Sequence, residues 1–545
     1  MTSLTALLRK GTEHPAAVRL RGAAPYLLCV WSGVAVFAAF EPLNAASMVY
    51  VALIPWLVAL RLWPQRAKRI SWAGGLACWL PSLYFLRPVT VAGGMVLAMY
   101  CALYWIPAGM FWARGLRDWQ PQRPLRGLAW VVSGAAAWSL LEWTRGWMLT
   151  GFPWNALGTS QVQQTALIQL AAWGGAELIS FVLVCVNLGV GLTLLGWMER
   201  LRERHAPRMH PELYAPILLL VLSFSFGSRE LRRQAEVPVA VMRIAVVQPN
   251  IEVKWDDDQQ AYIREVLWTH SQLAARTEPD LMLWPETALP DELRFSRESM
   301  NLVRDVVSLG APLLLGTLDA VFTEAPGGGY VADYFNAAML VDIDGVLRSV
   351  YWKRHLVMFG EYMPFANLFP FLRAMTPMGE DVTPGEDPGI MLHPESGHRM
   401  GILICFEDLM PGLARDLVAE EAELFVNLTN NAWFDPYWGS RAHLQNAVLR
   451  SVESRRPLVR ATNTGVSAWV DHRGVVRQVF EDPESGRVRI RGSALFPVEI
   501  PLEFETSFYH QHPLRFPLLW TLAVLAQLLS FSEVRKRCVK ILNHG

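Results

Sequence analysis

The sequence predicts two joined parts, a polytopic α-helical membrane domain of about eight spans and an α/β domain in water. Hydrophobic residues make up 52% of the 545 residues and charged residues only 18%, against roughly 25% charged residues in soluble proteins. Long apolar runs fill the chain up to about residue 227, and mixed charge with alternating strand and helix patterns follows between about 242 and 500. A purely soluble protein, a disordered chain and a disulfide scaffold therefore all fit poorly.

Eight apolar runs form the predicted membrane domain, because a helix crosses ~30 Å of hydrocarbon in about 20 residues. They lie at 24–41, 45–60, 72–87, 90–112, 127–147, 177–197, 214–227 and 514–531. The predicted organisation is a cytoplasmic N-terminus at 1–23, a seven-span membrane domain at 24–227, the α/β domain at 242–500, a last transmembrane helix at 514–531 and a cytoplasmic tail at 532–545.

The distribution of Lys and Arg predicts the orientation of the membrane domain. Basic residues concentrate at 9–21, 61–69, 114–126, 200–208 and 535–540, which are the N-terminus, every second connection and the tail. Because basic loops stay in the cytoplasm, both termini are expected there and the α/β domain on the outer side. A cleaved signal peptide is the alternative for the first run, but its removal would destroy this alternation, so we expect a retained anchor.

Strands and helices alternate through the α/β domain. Strands are predicted at Arg243–Gln248, Leu281–Trp284, Pro312–Gly316, Ala337–Asp342, Gly401–Ile404 and Leu424–Leu428, and helices near 256–276, 297–309, 411–421 and 441–454. Asp342–Gly345 and Asp471–Gly474 have the pattern of hairpin turns, in which glycine supplies a positive φ. The strands are apolar on both faces, so helices are expected to cover them.

Three polar residues stand where predicted strands end. Glu286 follows the run Leu-Met-Leu-Trp-Pro, Lys353 follows Val-Tyr-Trp and Cys405 follows Gly-Ile-Leu-Ile. Catalytic groups gather in the loops at strand ends, because those loops converge on a rigid scaffold. Cys405 is also the only cysteine of the α/β domain, and a lone thiol in an oxidising compartment is either buried or used. Taken singly, each residue has a structural explanation: a helix-start charge, a hairpin surface residue and a core cysteine.

Together, the motifs around these residues resemble the Glu-Lys-Cys triad of the nitrilase superfamily. They are Trp284-Pro-Glu286, Lys353-Arg-His-Leu-Val-Met-Phe-Gly-Glu361 and Ile404-Cys405-Phe-Glu-Asp, supported by Asn430-Asn-Ala-Trp-Phe434 and Arg460-Ala-Thr-Asn-Thr-Gly465. With its membrane spans, the chain as a whole is similar to the apolipoprotein N-acyltransferases of the bacterial inner membrane. The resemblance implies a nitrilase-like αββα sandwich for the α/β domain and a periplasmic location for it.

The same resemblance implies an acyl transfer in two half-reactions. Cys405 would attack a membrane phospholipid, typically phosphatidylethanolamine, and form a thioester. The free amine of a diacylglyceryl-modified apolipoprotein cysteine would then take the acyl chain, in the last step of bacterial lipoprotein maturation. Because a thiolate is the nucleophile for acyl transfer, Glu286 is expected to take the thiol proton. Lys353 is expected to favour the thiolate and to stabilise the oxyanion.

Five further residues are candidates near this site, and three of them, Trp255, Glu361 and Glu407, match positions of the family. Glu361 is expected to orient Lys353 or to assist proton transfer, and the main-chain N–H of Phe406 to share in binding the oxyanion. Trp255, Asn336 and Glu407 are expected to bind substrate. Ordinary packing explains Trp255 equally well, and a turn role explains Asn336 equally well. Some relatives have Tyr at the position of Phe406, so no hydroxyl role is expected there.

No cofactor and no metal ion are predicted. The twelve His residues form no ligand cluster along the sequence, and no phosphate-binding glycine motif follows a strand. The net charge of +0 gives no reason to expect nucleic acid binding. The expected partners are the phospholipid donor, the diacylglyceryl apolipoprotein acceptor and membrane lipid, and the chain is expected to be a monomer.

Two other interpretations fit part of the sequence. A membrane-tethered amidase or nitrilase would carry the same triad, but seven spans before the α/β domain exceed what tethering needs. A transporter or receptor would use the outer domain only to bind a ligand. Against it, the middle of the spans has no ionisable cluster except Glu142 and Glu177, and a binding module has no need of Glu, Lys and a lone Cys together.

Overall fold

The computed structural model describes residues 15–204, 211–252, 257–324, 328–358, 360–362, 381–434 and 436–531. These residues form two compact units. The helical unit comprises the described residues up to Tyr84, those of Gly94–Glu230 and those from Gln511 onwards. The sheet unit comprises Phe85–Gly93 and the described residues of Leu231–His510.

The α-helices are α1 (Pro15–Ala38), α2 (Ile54–Leu62), α3 (Ala67–Ser82), α4 (Val91–Leu103), α5 (Trp105–Asp118), α6 (Pro124–Arg145), α7 (Thr165–Ile168), α8 (Ala171–Arg202), α9 (Pro211–Ala235), α10 (Asp257–Ala275), α11 (Arg297–Val307), α12 (Pro411–Ala419), α13 (Trp438–Ser454), α14 (Phe508–Gln511) and α15 (Arg515–Ser530). Short 3-10 turns occupy Ala46–Tyr50, Pro64–Arg66, Tyr84–Leu86, Met148–Thr150, Leu157–Gln161 and Cys405–Leu409.

The eight apolar runs of the sequence fall largely on helical backbone, but not all of these helices qualify as membrane spans. Among the described residues, Val91–Asp118 (α4 with α5), Ala171–Arg202 and Pro211–Ala235 are long and apolar enough to cross a membrane. Ala46–Leu62 and Pro64–Ser82, bent by 108°, would make a fourth span if they cross together. The last helix has only 16 residues, fewer than the ~20 of a full crossing. The number of eight spans therefore stays a prediction.

Tryptophan side chains pack together in the core of the helical unit. Trp56 lies with its ring centroid 4.8 Å from that of Trp105 and 4.6 Å from that of Trp112. Glu142, one of the two mid-span carboxylates, accepts hydrogen bonds from the indole N–H of Trp138 at 2.8 Å and from the main-chain N–H of Leu157 at 2.9 Å. This buried carboxylate is therefore tied into the fold of its own unit.

The third predicted span ends earlier than the sequence indicates. Its helix, α3, ends at Ser82, and Phe85 belongs to the sheet unit. Phe85 is 1% exposed, and its ring centroid lies 4.7 Å from that of Phe434 and 5.4 Å from that of Trp438. A Cβ added to Gly439 would stand 2.7 Å from the Phe85 ring. The apolar run therefore continues past the helix because Phe85 is a core residue of the sheet unit.

Two six-stranded sheets form the sheet unit. Their strands are β1 (Val239–Gln248), β2 (Leu281–Leu283), β3 (Leu313–Glu324), β4 (Tyr330–Val341), β5 (Leu347–Trp352), β6 (Ile390–Leu392), β7 (Arg399–Ile404), β8 (Leu424–Thr429), β9 (Leu458–Thr462), β10 (Ala468–Val470), β11 (Val476–Val479) and β12 (Gly492–Pro501). The first sheet has the order β12-β1-β2-β3-β4-β5 and the second the order β11-β10-β9-β8-β7-β6. In each sheet three neighbouring strands pair in parallel, and every other pair of neighbours is antiparallel.

The two sheets face each other across one apolar core, and helices cover their outer faces. Residues such as Ile244 and Leu283 of the first sheet pack with Ile402, Ile404 and Val426 of the second. The helices α10 and α11 pack on the outer face of the first sheet, and α12 and α13 pack on the second. This arrangement confirms the prediction of an α/β domain with helix-covered strands, in four αββα layers.

The predicted strands and helices of this domain are confirmed, with shifts of a few residues at their ends. The main difference is the pair β3 and β4, which forms a twelve-residue antiparallel hairpin, whereas the sequence indicated only 312–316 and 337–342. Both predicted hairpin turns are present, with φ of 75° at Gly345 and 79° at Gly474. In each turn an aspartate side chain, Asp342 or Asp471, accepts two main-chain N–H groups, which is typical of tight turns.

Candidate active site

Three strand ends of the sheet unit carry the polar residues that the sequence singled out. Glu286 follows β2, Lys353 directly follows β5 and Cys405 directly follows β7. The strands β2 and β5 end at the same edge of the first sheet, because two antiparallel steps separate β5 from β3, which runs parallel to β2. The first sheet therefore supplies Glu286 and Lys353, and the second supplies Cys405.

Lys353 lies between two carboxylates. Its Nζ donates to Oε1 of Glu361 at 2.8 Å and to Oε1 of Glu286 at 3.4 Å. The side-chain amide of Asn336, on β4, donates to the same two oxygens, at 2.8 Å for Glu286 and 2.9 Å for Glu361. Lys353 is only 1% exposed, and a buried charge of this kind requires such partners.

The ammonium group of Lys353 is held in its charged form. Burial alone would lower its pKa, but the carboxylates of Glu361 and Glu286 and the nearby Cys405 outweigh this effect and raise the pKa above its usual range. Because the group stays protonated at all physiological pH values, it can stabilise negative charge but cannot accept a proton.

Glu286 is fixed by a close approach of the main chain. Its Oε2 accepts the main-chain N–H of Asn430 at 2.8 Å, and its neighbour Thr287 has a φ of 47°. A Cβ added to Gly316, on β3, would stand 2.5 Å from the carbonyl oxygen of Pro285 and 2.6 Å from Cα of Glu286. The absence of a side chain at this position of β3 therefore lets the carboxylate reach the edge of the sheet.

Cys405 occupies a strained position at the start of the 3-10 turn. Its φ is 54°, a left-handed conformation that costs energy for a residue with a Cβ and that recurs at functional sites. The side-chain amide of Asn427, on β8, donates to the Cys405 carbonyl oxygen at 3.0 Å and holds the turn. Burial raises the pKa of the Cys405 thiol well above its usual range and Glu286 raises it further, whereas Lys353 lowers it. The thiol is therefore neutral at neutral pH, beside a charged cluster.

Glu407 fastens the turn of Cys405 to the loop that carries Lys353. Its carboxylate accepts the main-chain N–H groups of Arg354 at 2.8 Å, His355 at 2.9 Å and Ile404 at 2.8 Å. The hydroxyl of Tyr351 also donates to it, at 2.9 and 3.0 Å from its two oxygens. Glu407 is 0% exposed. Protein groups thus occupy the carboxylate that the sequence assigned to substrate binding.

The structure brings together most of the residues singled out in the sequence. Glu286, Lys353, Glu361 and Asn336 form one hydrogen-bonded cluster, and the charges of that cluster act on the Cys405 thiol. The ring of Phe406 stacks on that of His355, with centroids 6.1 Å apart. Trp255 lies outside the described residues. The part of the chain that is described holds no group of three or more His, Cys, Asp or Glu placed to bind a metal ion, and the expectation of a metal-free, cofactor-free site stays a prediction.

Sequence reasoning missed several residues that support this cluster. Tyr351 and Asn427 have no motif of their own, and strands β5 and β8 alone bring them to the site. Asn430 stands inside a quoted motif, and its place in that motif was the signal that could have found it.

This arrangement suits nucleophilic chemistry at a carbonyl group. Acyl transfer through a thioester requires a thiol, a carboxylate that can take the thiol proton and a cation that stabilises the oxyanion. The site has all three groups close together. The carboxylate of Glu361 has the shorter contact with Lys353, 2.8 Å against 3.4 Å for Glu286. Glu286 is therefore less committed to the ion pair and is the better candidate base.

Two family models match the chain, and the chain is similar to whole proteins of one of these families. A model of the apolipoprotein N-acyltransferase N-terminal domain matches residues 32–189, and a model of the carbon–nitrogen hydrolases matches residues 243–492. The apolipoprotein N-acyltransferase of Geobacter metallireducens is 30% identical over 512 residues, which cover 89% of this chain and 91% of the relative. That of Pseudomonas syringae pv. tomato is 29% identical over 526 residues, 92% of this chain and 95% of the relative. Among solved structures, an amidase from Nesterenkonia sp. is 19% identical, with a TM-score of 0.35, over 52% of this chain and 98% of that chain.

Proposed function

Because the chain belongs to the apolipoprotein N-acyltransferase family, we propose that this acyltransferase N-acylates the diacylglyceryl-cysteine N-terminus of apolipoproteins. The proposed acyl donor is a membrane phospholipid, phosphatidylethanolamine in the first place, and the reaction passes through a thioester on Cys405 in a ping-pong order. It would be the last step of bacterial lipoprotein maturation. The observation that carries the proposal is the buried Lys353, bonded to Glu286 and Glu361 beside the Cys405 thiol.

In the first half-reaction, the sulfur of Cys405 attacks the ester carbonyl of the phospholipid. The neutral thiol must lose its proton as the new S–C bond forms, and Glu286 accepts it. The ammonium of Lys353 and the main-chain N–H of Phe406 stabilise the oxyanion. The C–O bond to the glycerol then breaks, Glu286 returns the proton to the departing oxygen, and a lysophospholipid leaves.

In the second half-reaction, the amine of the lipoprotein cysteine attacks the thioester carbonyl. Glu286 takes a proton from the attacking nitrogen, the C–S bond breaks, and the sulfur regains a proton, so that an amide and the free thiol result. A thioester is reactive enough to acylate an amine, and water would compete for it. The ping-pong order lets two bulky lipid substrates use the same site in turn.

The surrounding residues take supporting roles in this proposal. Glu361 orients Lys353 through its 2.8 Å contact. The amide of Asn336 holds the two carboxylates at a fixed separation, in addition to any contact with substrate. Since protein donors already fill the carboxylate of Glu407, we assign it the positioning of the nucleophile turn rather than substrate binding. For Trp255 we keep the predicted role in substrate binding as a proposal.

The proposed location is the bacterial inner membrane, with the sheet unit on the periplasmic side and both termini in the cytoplasm. The alternation of basic and bare connections supports this orientation, and the apolar helices of the helical unit support membrane insertion. Both substrates keep their acyl chains in lipid, which explains why a water-exposed catalytic domain would be attached to so large a helical unit. We further propose that the chain acts as a monomer.

A transfer assay in proteoliposomes tests the proposed function. The full-length protein is reconstituted with phosphatidylethanolamine carrying a labelled acyl chain, and a synthetic diacylglyceryl peptide with a free N-terminal cysteine amine is added. The expected result is labelled peptide amide, with none from the same peptide acetylated at its N-terminus and none from the Cys405→Ala variant. Labelled free fatty acid in place of the peptide amide would overturn the proposal and favour a hydrolase.

A further inference from the structure

A buried chain of hydrogen bonds runs from the nucleophile turn to the anchor of the proposed base. Asp408 lies in the same 3-10 turn as the nucleophile, and its Oδ1 accepts a hydrogen bond from Nε2 of His443 at 3.0 Å. The side-chain amide of Asn431 donates to Nδ1 of the same ring at 3.3 Å. The residue before it, Asn430, gives its main-chain N–H to Glu286 at 2.8 Å.

The imidazole of His443 can join these partners in only one way. A carboxylate accepts hydrogen bonds and does not donate them, so Nε2 must carry the proton, and Nδ1 is then the acceptor for the Asn431 amide. Burial lowers the pKa of His443 below its usual range, although Asp408 opposes this shift, so the ring is neutral with one donor and one acceptor. Arg460 pairs with the other oxygen of Asp408 and balances its charge without help from the histidine.

Within the second sheet, the bonds through His443 join the turn after β7 to the loop after the neighbouring β8. The main-chain N–H of Asn430 then crosses from that loop to Glu286 of the first sheet. Cys405 follows β7 of the second sheet, whereas Glu286 follows β2 of the first, and catalysis requires a fixed distance between them. Asp408, His443 and Asn431 are each 3% exposed or less, so water does not compete for these bonds. From this geometry we infer that His443 is a positioning residue, which holds the turn of Cys405 at a fixed distance from the Asn430 anchor of Glu286.

This inference rests on the proposed roles of Cys405 and Glu286 and goes beyond them. If it holds, loss of the His443 ring bonds loosens the base relative to the thiol. Misplacement by about 1 Å can cost up to about 10²-fold in rate, whereas substrate binding, which the histidine does not touch, stays unchanged. A histidine that only stabilises the fold would instead lower the melting temperature without selecting the acylation step.

The test measures acylation of the thiol by a small activated ester. Full-length protein in detergent is mixed with p-nitrophenyl butyrate, and the burst of nitrophenolate gives the first-order acylation rate and the half-saturating concentration. The variants are His443→Phe, Asn431→Ala and the double variant. His393→Phe is the matched control, since His393 is also buried, bonds through both ring nitrogens and lies at the far end of β7 from Cys405.

The expected result is a fall in acylation rate of about 10–100-fold in each single variant, with an unchanged half-saturating concentration. The double variant should be no slower than the slower single variant, since both changes break the same link. A wild-type rate, additive losses, or an equal loss in His393→Phe would overturn the inference. If His443→Phe does not fold, Asn431→Ala alone decides: the inference predicts a lower acylation rate with an unchanged half-saturating concentration.

The small ester keeps this test separate from the proposed function. Burst acylation of Cys405 requires the thiol, its base and the oxyanion donors, but neither a phospholipid nor a lipoprotein. A protein that shows the burst but transfers no acyl chain to a diacylglyceryl peptide would contradict the proposed function and leave the inference about His443 to be judged by the variants.

Discussion

The two sheets of the sheet unit contribute different halves of the candidate site. The first sheet supplies charge, in Glu286 after β2 and Lys353 after β5, with Asn336 of β4 between them. The second sheet supplies Cys405, whose φ of 54° strains the turn that carries it. The side-chain amide of Asn427 donates to the Cys405 carbonyl oxygen and holds this turn in place. Electrostatics and nucleophilicity therefore come from separate scaffolds, and their alignment depends on the contacts between the sheets.

Because of this difference, some residues should affect the acylation rate, and others should affect how firmly the two sheets are held together. The charged groups of the first sheet interact with the Cys405 thiol itself. Glu407 belongs to the nucleophile turn but binds the main chain on both sides, at Ile404 and at Arg354 and His355. Substitutions in the charged cluster should therefore reduce catalysis, whereas loss of a single hydrogen bond to Glu407 should mainly reduce stability.

The largest effect is expected for Glu286→Gln, which keeps the shape of the side chain and removes the base. The acylation rate should fall by about 10²–10⁴-fold. The pH dependence of the acylation rate should also change in Glu286→Gln.

Only the thiolate can react in this variant, and burial raises the pKa of the Cys405 thiol. The acylation rate should therefore keep rising with pH through the alkaline range. Burst kinetics across pH measure both effects. The control is Glu278→Gln, an exposed carboxylate of the same unit, and a wild-type rate in Glu286→Gln would exclude the base role.

Lys353→Met removes the cation and keeps most of the side-chain volume. We expect a loss of about 10²–10³-fold in kcat, as for other oxyanion donors. The carboxylates of Glu286 and Glu361 would remain buried without a counter-ion, so the free energy of unfolding should also fall by about 3–5 kcal/mol.

Kinetics and thermal denaturation in detergent measure these two losses. Adding Glu361→Gln to Lys353→Met should restore part of the stability and none of the activity. Arg354→Met serves as the control, because the Arg354–Asp416 pair is partly exposed and such pairs contribute little. Restored activity in the Lys353→Met, Glu361→Gln protein would show that the cation is not needed.

Gly316→Ala tests the close approach that places Glu286. The added Cβ would overlap the main chain of Pro285 and Glu286, so we expect a stability loss of about 1–3 kcal/mol and a fall in acylation rate of no more than about 10²-fold. Gly412→Ala is the matched control, since its Cβ would have only one neighbour, at 3.9 Å. Equal rates in the two variants would mean that β3 does not position the base.

Tyr351→Phe is expected to have the smallest effect on rate. It removes one charged hydrogen bond from Glu407, worth about 1.5–3 kcal/mol of stability, while three main-chain N–H groups still hold the carboxylate. The melting temperature should fall and kcat should stay close to that of the wild type. Tyr330→Phe, at an exposed tyrosine, should change neither. A selective loss of kcat in Tyr351→Phe would mean that the hydrogen bond between Tyr351 and Glu407 contributes directly to catalysis.

The three candidate catalytic residues can be predicted from the sequence better than the residues that hold them in place. Glu286, Lys353 and Cys405 stand at strand ends within recognisable motifs, because catalytic groups need both a residue type and a place on the scaffold. The residues that hold them in place carry no such motif. In the sequence, His443 and Tyr351 are ordinary helix and strand residues, and only the packing of the folded chain gives them their partners. Side-chain partners between distant segments depend on tertiary geometry, which sequence periodicity does not contain.

A similar limit applies to the helical part of the chain. Hydropathy located the helices, but their lengths and breaks depend on packing, as in the 108° bend between Ala46–Leu62 and Pro64–Ser82. Phe85 illustrates the point, since its apolar side chain counted towards a membrane span and lies instead in the core of the sheet unit. Apolar composition alone does not distinguish a residue that faces lipid from one that faces protein.

The most direct test of the central claim is intact-protein mass spectrometry of the full-length chain after incubation with phosphatidylethanolamine in the absence of an acceptor. We predict a fatty-acyl mass increment that is absent from the Cys405→Ala variant, is released by hydroxylamine and disappears when a diacylglyceryl peptide with a free amine is added. An unmodified wild-type protein under the same conditions, or an increment that persists in Cys405→Ala, would contradict a thioester mechanism at Cys405.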